Sequence, residues 1–125
     1  MQIFTNMSKR VLVIDDEKNI RDSIKDYLEF YDYDVKLANN GKAGVELALE
    51  WIPDIVISDL KMPELTGFGV LEKLRATDRF RLTPIFILSA MTDTDTQNQL
   101  RNLGATQFVP KPFRLPELVQ LIEDC

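Results

Sequence analysis

The stretch IVISDLKMPELTGF, residues 55–68, places a carboxylate at the end of an apolar run. Ile55, Val56 and Ile57 are typical of a buried strand, because consecutive β-branched residues favour an extended and fully covered chain. One small residue separates them from Asp59, and basic, Pro and Gly residues follow. A buried strand that stops at an acid predicts that this edge of the sheet carries a polar site.

Five short runs have this strand-like character, and helical spacing fills the stretches between them. The runs are RVLVI (10–14), DVKLA (34–38), DIVIS (54–58), PIFIL (84–88) and TQFV (106–109). This alternation predicts an α/β fold: a doubly wound, five-stranded parallel sheet with helices on both faces. The expected strand order is the flavodoxin-like 2-1-3-4-5.

The helical stretches differ in how much apolar surface they offer. Four of them place apolar residues three or four positions apart, as one face of a helix requires. Segment 93–104 is mostly polar, with Leu100 and Leu103 as its apolar members, which predicts a weakly held helix. The four apolar faces are Ile20, Ile24, Tyr27, Leu28 and Tyr31; Val45, Ala48, Leu49 and Ile52; Phe68, Leu71 and Leu74; and Leu115, Leu118, Val119 and Ile122.

Length and charge restrict the class of protein. The 125 residues suit one domain, which we place at residues 10–125, with residues 1–9 as an N-terminal tail or an added extension and Met7 as an alternative start. A net charge of −5 argues against nucleic-acid binding by this chain. No apolar run approaches the length of a membrane span, and a lone Cys125 fits the reducing cytoplasm.

The chain contains no histidine. This excludes Ser-His-Asp catalysis, histidine metal ligands and a phosphohistidine within the chain. Any phosphoryl group used here must therefore come from another molecule.

Polar residues follow four of the five predicted strands. Asp15 and Asp16 follow the first, Asp59 the third, Ser89 the fourth and Lys111 the fifth. Because ligands of open parallel sheets bind beyond the carboxyl ends of the strands, we expect these side chains to converge. Crowded carboxylates need a cation, and oxygen ligands suit Mg²⁺ or Mn²⁺. A metal and a lysine facing a carboxylate nucleophile form a suitable site for a transferred phosphoryl group.

Four ordered motifs carry a family resemblance. The stretches VLVIDDE (11–17), VISDLKMPELTGF (56–68), PIFILSA (84–90) and FVPKPF (108–113) resemble the receiver domain of bacterial two-component response regulators. The resemblance extends over residues 9–125 and implies that Asp59 is the phosphoacceptor. It also implies that Asp16, Asp59 and the backbone carbonyl of Lys61 bind Mg²⁺ directly, whereas Asp15 acts through a metal-bound water.

The same resemblance assigns the remaining site residues. It implies that Lys111 pairs with the phosphoryl oxygens, that Ser89 is the switch hydroxyl and that Phe108 is the switch aromatic. It also implies a cis bond between Lys111 and Pro112.

The implied function is a signalling switch rather than an enzyme acting on other substrates. A histidine kinase or phosphotransfer protein would be the donor, and an output domain or effector protein would be controlled. Such a domain would catalyse only its own phosphorylation and dephosphorylation, and a homodimer formed on phosphorylation is compatible with the family.

Three alternatives remain open at this stage. An Mg²⁺-dependent phosphohydrolase with an aspartyl nucleophile would need an acid two residues after Asp59, where the chain has Lys61. A flavodoxin-like binding module would need a Ser-, Thr- or Gly-rich loop after the first strand, where the chain is acidic. A degenerate receiver acting only by binding would have lost site residues that this chain retains.

Overall fold

The structure, a computed structural model, describes residues 8–125 and contains a five-stranded parallel sheet between two layers of helices. Residues 1–7, with most of the predicted tail and Met7, lie outside the described residues. The strands are β1 (Arg10–Ile14), β2 (Asp34–Ala38), β3 (Ile55–Asp59), β4 (Ile85–Ser89) and β5 (Gln107–Pro110). The helices are α1 (Lys18–Phe30), α2 (Gly41–Trp51), α3 (Gly67–Arg75), α4 (Thr94–Asn102) and α5 (Leu115–Glu123), with a short 3₁₀ turn at Asp78–Phe80.

The strand order is β2-β1-β3-β4-β5, which confirms the predicted doubly wound topology. The order reverses at β1, because the chain passes from β2 across β1 to reach β3. In the parallel register Ile14 pairs with Ser58, and Asp59 pairs with Leu88. The residues that follow Ile14 and Ser58 therefore emerge side by side at the switch point.

Alternate residues of each strand belong to two separate apolar layers, because successive side chains of a strand point to opposite faces of the sheet. In β1, Leu12 and Ile14 join the layer under α2, α3 and α4, whereas Val11 and Val13 join the layer under α1 and α5. The largest buried side chains, Phe80 and Phe86, lie on opposite sides in the same way. Both faces of the sheet are covered, which explains its continuous apolar strands.

Three strands begin and end one residue later than the sequence predicted. The backbone ladder continues past the apolar run: the Leu60 amide donates to the Leu88 carbonyl at 3.0 Å, and the Lys111 amide donates to the Ser89 carbonyl at 2.9 Å. Asp59 and Ser89 are consequently the last residues of β3 and β4 rather than the first residues after them. Hydrogen bonding, which the apolar pattern does not report, sets these boundaries.

Two residues assigned to buried helix faces are exposed. Tyr31 lies beyond the last residue of α1 and is 46% exposed, and Leu49 is 51% exposed because Ala48 takes the core-facing position of α2. Segment 93–104 contains the helix α4, which buries only Thr96 and Leu100, and its weak attachment stays a prediction.

Gly41 provides a test of how α2 packs. A Cβ at Gly41, the first residue of α2, would overlap the carbonyl oxygen of Leu65, whereas a Cβ at Gly44 would meet side-chain atoms of Ile14. Because backbone cannot move aside as a side chain can, we expect Gly41→Ala to lower the free energy of unfolding by about 2 kcal/mol or more. Gly44→Ala should cost less, since alanine gains up to about 1 kcal/mol in helix propensity. Urea denaturation of both variants measures the difference, and equal losses would contradict this packing.

Candidate functional site

Three acids meet beyond the carboxyl ends of β1 and β3. Asp15 directly follows β1, Asp59 ends β3, and carboxylate oxygens of Asp15, Asp16 and Asp59 lie within 4.8 Å of one another. Asp15 is fully buried and Asp59 is 7% exposed, whereas Asp16 faces solvent. The structure therefore brings together the three carboxylates that the sequence predicted to converge.

Lys111 supplies a cation at this cluster. Its Nζ lies 3.0 Å from Asp59 Oδ1 and 3.7 Å from Asp15 Oδ2. The residue follows β5, which lies two strands away from β3, so its long side chain reaches past the end of β4. One ammonium group facing three carboxylates leaves the site with excess negative charge.

One oxygen of Asp15 has no hydrogen-bond partner. The Glu17 amide donates to Asp15 Oδ1 at 2.9 Å, while Oδ2 is the one buried side-chain polar atom in residues 8–125 that lacks a partner. A buried carboxylate oxygen left in this state is costly in free energy. The orphaned oxygen fits a site that receives a further cation or a water bound to one.

Burial changes the ionisation of the site. Burial and, to a smaller extent, the charge of Asp59 raise the pKa of Asp15 to about 6, against the hydrogen bond from the Glu17 amide. Burial also raises the pKa of Asp59, although Lys111 acts in the opposite direction. Burial lowers the pKa of Lys111, but its hydrogen bond to Asp59 and the charges of both acids outweigh this, so the net shift is upward. The carboxylates thus ionise reluctantly unless a cation joins them.

The donor set fits Mg²⁺ or Mn²⁺. All three clustered side chains offer carboxylate oxygens, which these hard cations prefer. Direct ligation by Asp16 and Asp59, with a bridging water at Asp15, stays a prediction. Lys61 is exposed in the loop after β3, and ligation by its carbonyl stays a prediction.

The two predicted switch residues lie at neighbouring strands. Ser89 is buried at the end of β4, where its Oγ accepts a hydrogen bond from the Met91 amide at 2.9 Å. Phe108 is half-buried in β5, pairs with Ile87 and lines a cavity of about 330 Å³ between α4 and β5. The placement is suitable, although their switching roles stay predictions. The bond between Lys111 and Pro112 is cis, as the resemblance implied.

The sequence interpretation did not single out two residues that contact the acidic strand ends. Arg21, in α1, donates from Nη1 to the main-chain carbonyl of Asp15 at 2.9 Å. Ser58 donates from Oγ to the carbonyl of Asp59 at 2.9 Å. In the sequence, Arg21 could have been noticed as a basic residue one turn into the helix that follows the acidic loop. Nothing but its small size distinguishes Ser58 in the sequence.

Comparisons with known proteins agree with this fold. The family model described as the response regulator receiver domain matches residues 11–123. Among solved structures, the chemotaxis response regulator CheY4 of Vibrio cholerae superposes with a TM-score of 0.90 at 29% identity, covering 94% of this chain and 98% of that one. The receiver domain of the Francisella response regulator 1452 has a TM-score of 0.87 at 32% identity, covering 94% of this chain and 95% of that one.

The chain belongs to the response regulator receiver domain family. Regulatory protein AtoC of Escherichia coli (strain K12) is 31% identical over 114 residues, covering 91% of this chain and 24% of AtoC. Response regulator MprA of Mycolicibacterium vanbaalenii is 36% identical over 113 residues, covering 90% of this chain and 48% of MprA. The chain thus spans half or less of the length of these curated relatives.

Membership supports a phosphoacceptor signalling role. Response regulator receiver domains act mainly as signalling switches rather than as enzymes, and they bind Mg²⁺ at an acidic pocket such as the Asp15, Asp16 and Asp59 group. In residues 8–125, no helix combines the length and the apolar character that crossing a membrane requires.

Asp15 gives the metal-free protein a defined pH dependence. The pKa of Asp15 is about 6 in the folded protein, against the ordinary value of 3.8 for an aspartate. Between these two pH values the folded state binds more protons than the unfolded state. The free energy of unfolding therefore falls as the pH rises from about 4 to about 6. The loss has an upper limit of about 3 kcal/mol. In EDTA, we expect Asp15→Asn to become more stable than the wild type by up to this amount between pH 4 and pH 7.

Urea denaturation at several pH values measures this difference, and Mg²⁺ at pH 7.5 provides the control. The cation should stabilise the wild type more than Asp15→Asn, because it replaces the missing partner of Oδ2. If the free energy of unfolding changes with pH in the same way in both proteins, burial of the Asp15 carboxylate is not the cause of the pH dependence.

Proposed function

We propose that this chain is a signalling switch that takes a phosphoryl group onto Asp59 in the presence of Mg²⁺ or Mn²⁺. The donor is a histidine kinase or phosphotransfer protein, and the resulting change of conformation controls an output domain or effector protein. The observation that carries this proposal is the position of Asp59: nearly buried, clustered with two acids, and 3.0 Å from the ammonium of Lys111.

The hydrogen bonds of Asp59 favour one oxygen as the nucleophile. Oδ1 accepts from the Leu60 amide at 2.9 Å and lies against Lys111, while Oδ2 accepts no hydrogen bond in the described part of the chain. Oδ2 is therefore free to form the new bond to phosphorus as the donor's bond to phosphorus breaks. Lys111 can then pair with a phosphoryl oxygen, because charge-assisted hydrogen bonds of this kind are strong. When bound, the metal would offset the negative charge of the phosphoryl oxygens.

Ser89 and Lys111 together can supply the free energy of a switch. The bond from the Met91 amide uses an acceptor lone pair of Ser89 Oγ, so the hydroxyl hydrogen remains able to donate to a phosphoryl oxygen. Two hydrogen bonds to a charged group give about 3–6 kcal/mol, and inverting a two-state equilibrium from 1:99 to 99:1 takes about 5.5. Movement of Ser89 would open space for Phe108, which borders the cavity next to α4.

The partners follow from what the chain lacks and from its relatives. With no histidine, the chain cannot form its own phosphohistidine, so the donor is a separate protein or segment. Because AtoC and MprA are about two to four times longer than the matched region, an output region joined to residues 10–125 or a separate effector would receive the signal. We place this switch in the cytoplasm, without nucleic-acid binding by this chain, and a phosphorylation-dependent homodimer is compatible with it.

The surroundings of Asp59 disfavour a phosphohydrolase. Such an enzyme would use an acid two residues after the nucleophile to protonate the leaving group, and Lys61 occupies that position. The phosphoacceptor role needs no such group.

Replacement of Asp59 tests the proposed acceptor. With acetyl phosphate and Mg²⁺, the intact mass of the wild type should rise by one phosphoryl group, and EDTA should prevent the rise. Asp59→Asn should show no gain, because the amide is not a nucleophile of this kind. Asp26→Asn, on the solvent side of α1, should behave as the wild type. Phosphorylation of Asp59→Asn would show that another residue accepts the group.

Replacement of Ser89 separates phosphorylation from switching. Ser89→Ala should still gain one phosphoryl group, because Asp59 and Lys111 are intact, but the hydrogen bond from the Ser89 hydroxyl to the phosphoryl group is lost. Amide chemical shifts of Phe108 and α4 should respond to phosphorylation in the wild type and respond weakly in Ser89→Ala. Equal responses in both proteins would contradict the switch role of Ser89.

A further inference from the structure

Asp15 is held by more contacts than a metal-binding side chain requires. Its amide donates to the Ala38 carbonyl in β2 at 3.1 Å, and its carbonyl accepts from Arg21 Nη1 at 2.9 Å. Its Oδ1 accepts from the Glu17 amide at 2.9 Å. Amide, carbonyl and one carboxylate oxygen are all fixed, and Oδ2 alone is left toward Asp59 and Lys111.

Arg21 behaves differently from the lysines of the same helix. Lys18 and Lys25 each pair with a carboxylate four residues later, at 2.6 Å and 3.0 Å. Arg21 is half-buried, and in residues 8–125 no carboxylate lies within 4.0 Å of its guanidinium. Ordering so long a side chain costs conformational entropy, yet its hydrogen bond goes to a neutral carbonyl close to three acids. Its contact is therefore with the backbone of the loop rather than with the charge of an acid.

The carbonyl that Arg21 contacts belongs to the peptide joining Asp15 to Asp16. Because a peptide unit is planar, a hydrogen bond to this carbonyl fixes the direction in which the chain leaves toward Asp16. Three carboxylates whose oxygens lie within 4.8 Å of one another repel each other. Rotation of this peptide is a direct way for the repulsion to separate them, and Arg21 resists it.

We propose that Arg21 is a positioning residue of the metal site: it holds the peptide between Asp15 and Asp16 so that both carboxylates face Asp59 before the cation binds. This inference rests on the proposed function of the site. Arg21 itself contacts no ligand and acts through the acidic loop.

Two consequences of Arg21 oppose each other, which makes the proposal testable. Its positive charge repels a divalent cation, so loss of charge alone would tighten metal binding. Its hydrogen bond keeps the acids together, so loss of that bond weakens metal binding, as removal of outer-shell partners does by 10- to 100-fold in other sites. The partly exposed guanidinium is screened by solvent, and we expect the hydrogen bond to dominate.

Mn²⁺ binding, followed by the paramagnetic resonance signal of the free ion, is the first measurement. Arg21→Met keeps most of the apolar stem and removes every donor, and it should bind Mn²⁺ about tenfold more weakly than the wild type. Lys18→Met is the matched control, since it removes an exposed cation from the first turn of the same helix. Its affinity should stay unchanged or rise slightly.

A second readout needs no metal. In EDTA, amide hydrogen exchange at Glu17 should be faster in Arg21→Met than in Lys18→Met. The Glu17 amide donates to Asp15 Oδ1, and without Arg21 the loop that carries Asp15 is no longer fixed. Arg21→Lys covers the case in which the methionine variant fails to fold. It keeps the charge but removes the planar guanidinium that donates to the Asp15 carbonyl, so we expect its affinity to fall as well.

The outcomes separate this proposal from the function on which it rests. Unchanged or tighter Mn²⁺ binding by Arg21→Met, an equal loss in Lys18→Met, or wild-type affinity in Arg21→Lys would each overturn the positioning role. A wild type that binds Mn²⁺ yet accepts no phosphoryl group would overturn the proposed function and leave the role of Arg21 standing. A wild type that binds no Mn²⁺ would overturn both.

Discussion

Repulsion among carboxylates gathered at one edge of the sheet is the constraint on which this structure depends. Asp15 and Asp59 are drawn out of water, and their charges are only partly offset by Lys111. An isolated domain gains nothing from this arrangement, because the buried acids ionise reluctantly and Asp15 Oδ2 lacks a hydrogen-bond partner. The arrangement becomes favourable only when a cation binds between the carboxylates. The cation-free domain is therefore less stable than it would be without these buried acids.

The rest of the fold keeps those acids from moving apart. Parallel pairing of β1 with β3 brings their carboxyl ends together, and two apolar layers cover the sheet on either side. Backbone hydrogen bonds continue to the last residue of β3, so Asp59 belongs to the rigid ladder. Asp15 lies just outside β1 and depends on local contacts with Ala38, Glu17 and Arg21 instead. The two acids are held by different means.

The sequence was sufficient for the topology and for which residues converge. Alternating strand and helix patterns predicted the sheet, and polar residues at strand ends predicted the cluster of Asp15, Asp16, Asp59 and Lys111. The pattern could not locate strand ends, because a polar residue such as Asp59 can continue a backbone ladder that apolar periodicity does not record. It also missed Arg21, which donates to a backbone carbonyl. Every residue has such a carbonyl, so the residue type at position 15 does not reveal this hydrogen bond.

The contact between the ends of β4 and β5 has a consequence for how such domains diversify. The Lys111 amide donates to the Ser89 carbonyl. The distance between these two site residues is therefore fixed by a main-chain hydrogen bond and not by the side chains around them. Substitutions on the outer surfaces of α4 and α5 leave that spacing intact. The sequence of these outer surfaces can therefore vary between related domains, while the spacing of Ser89 and Lys111 beneath them is inherited unchanged.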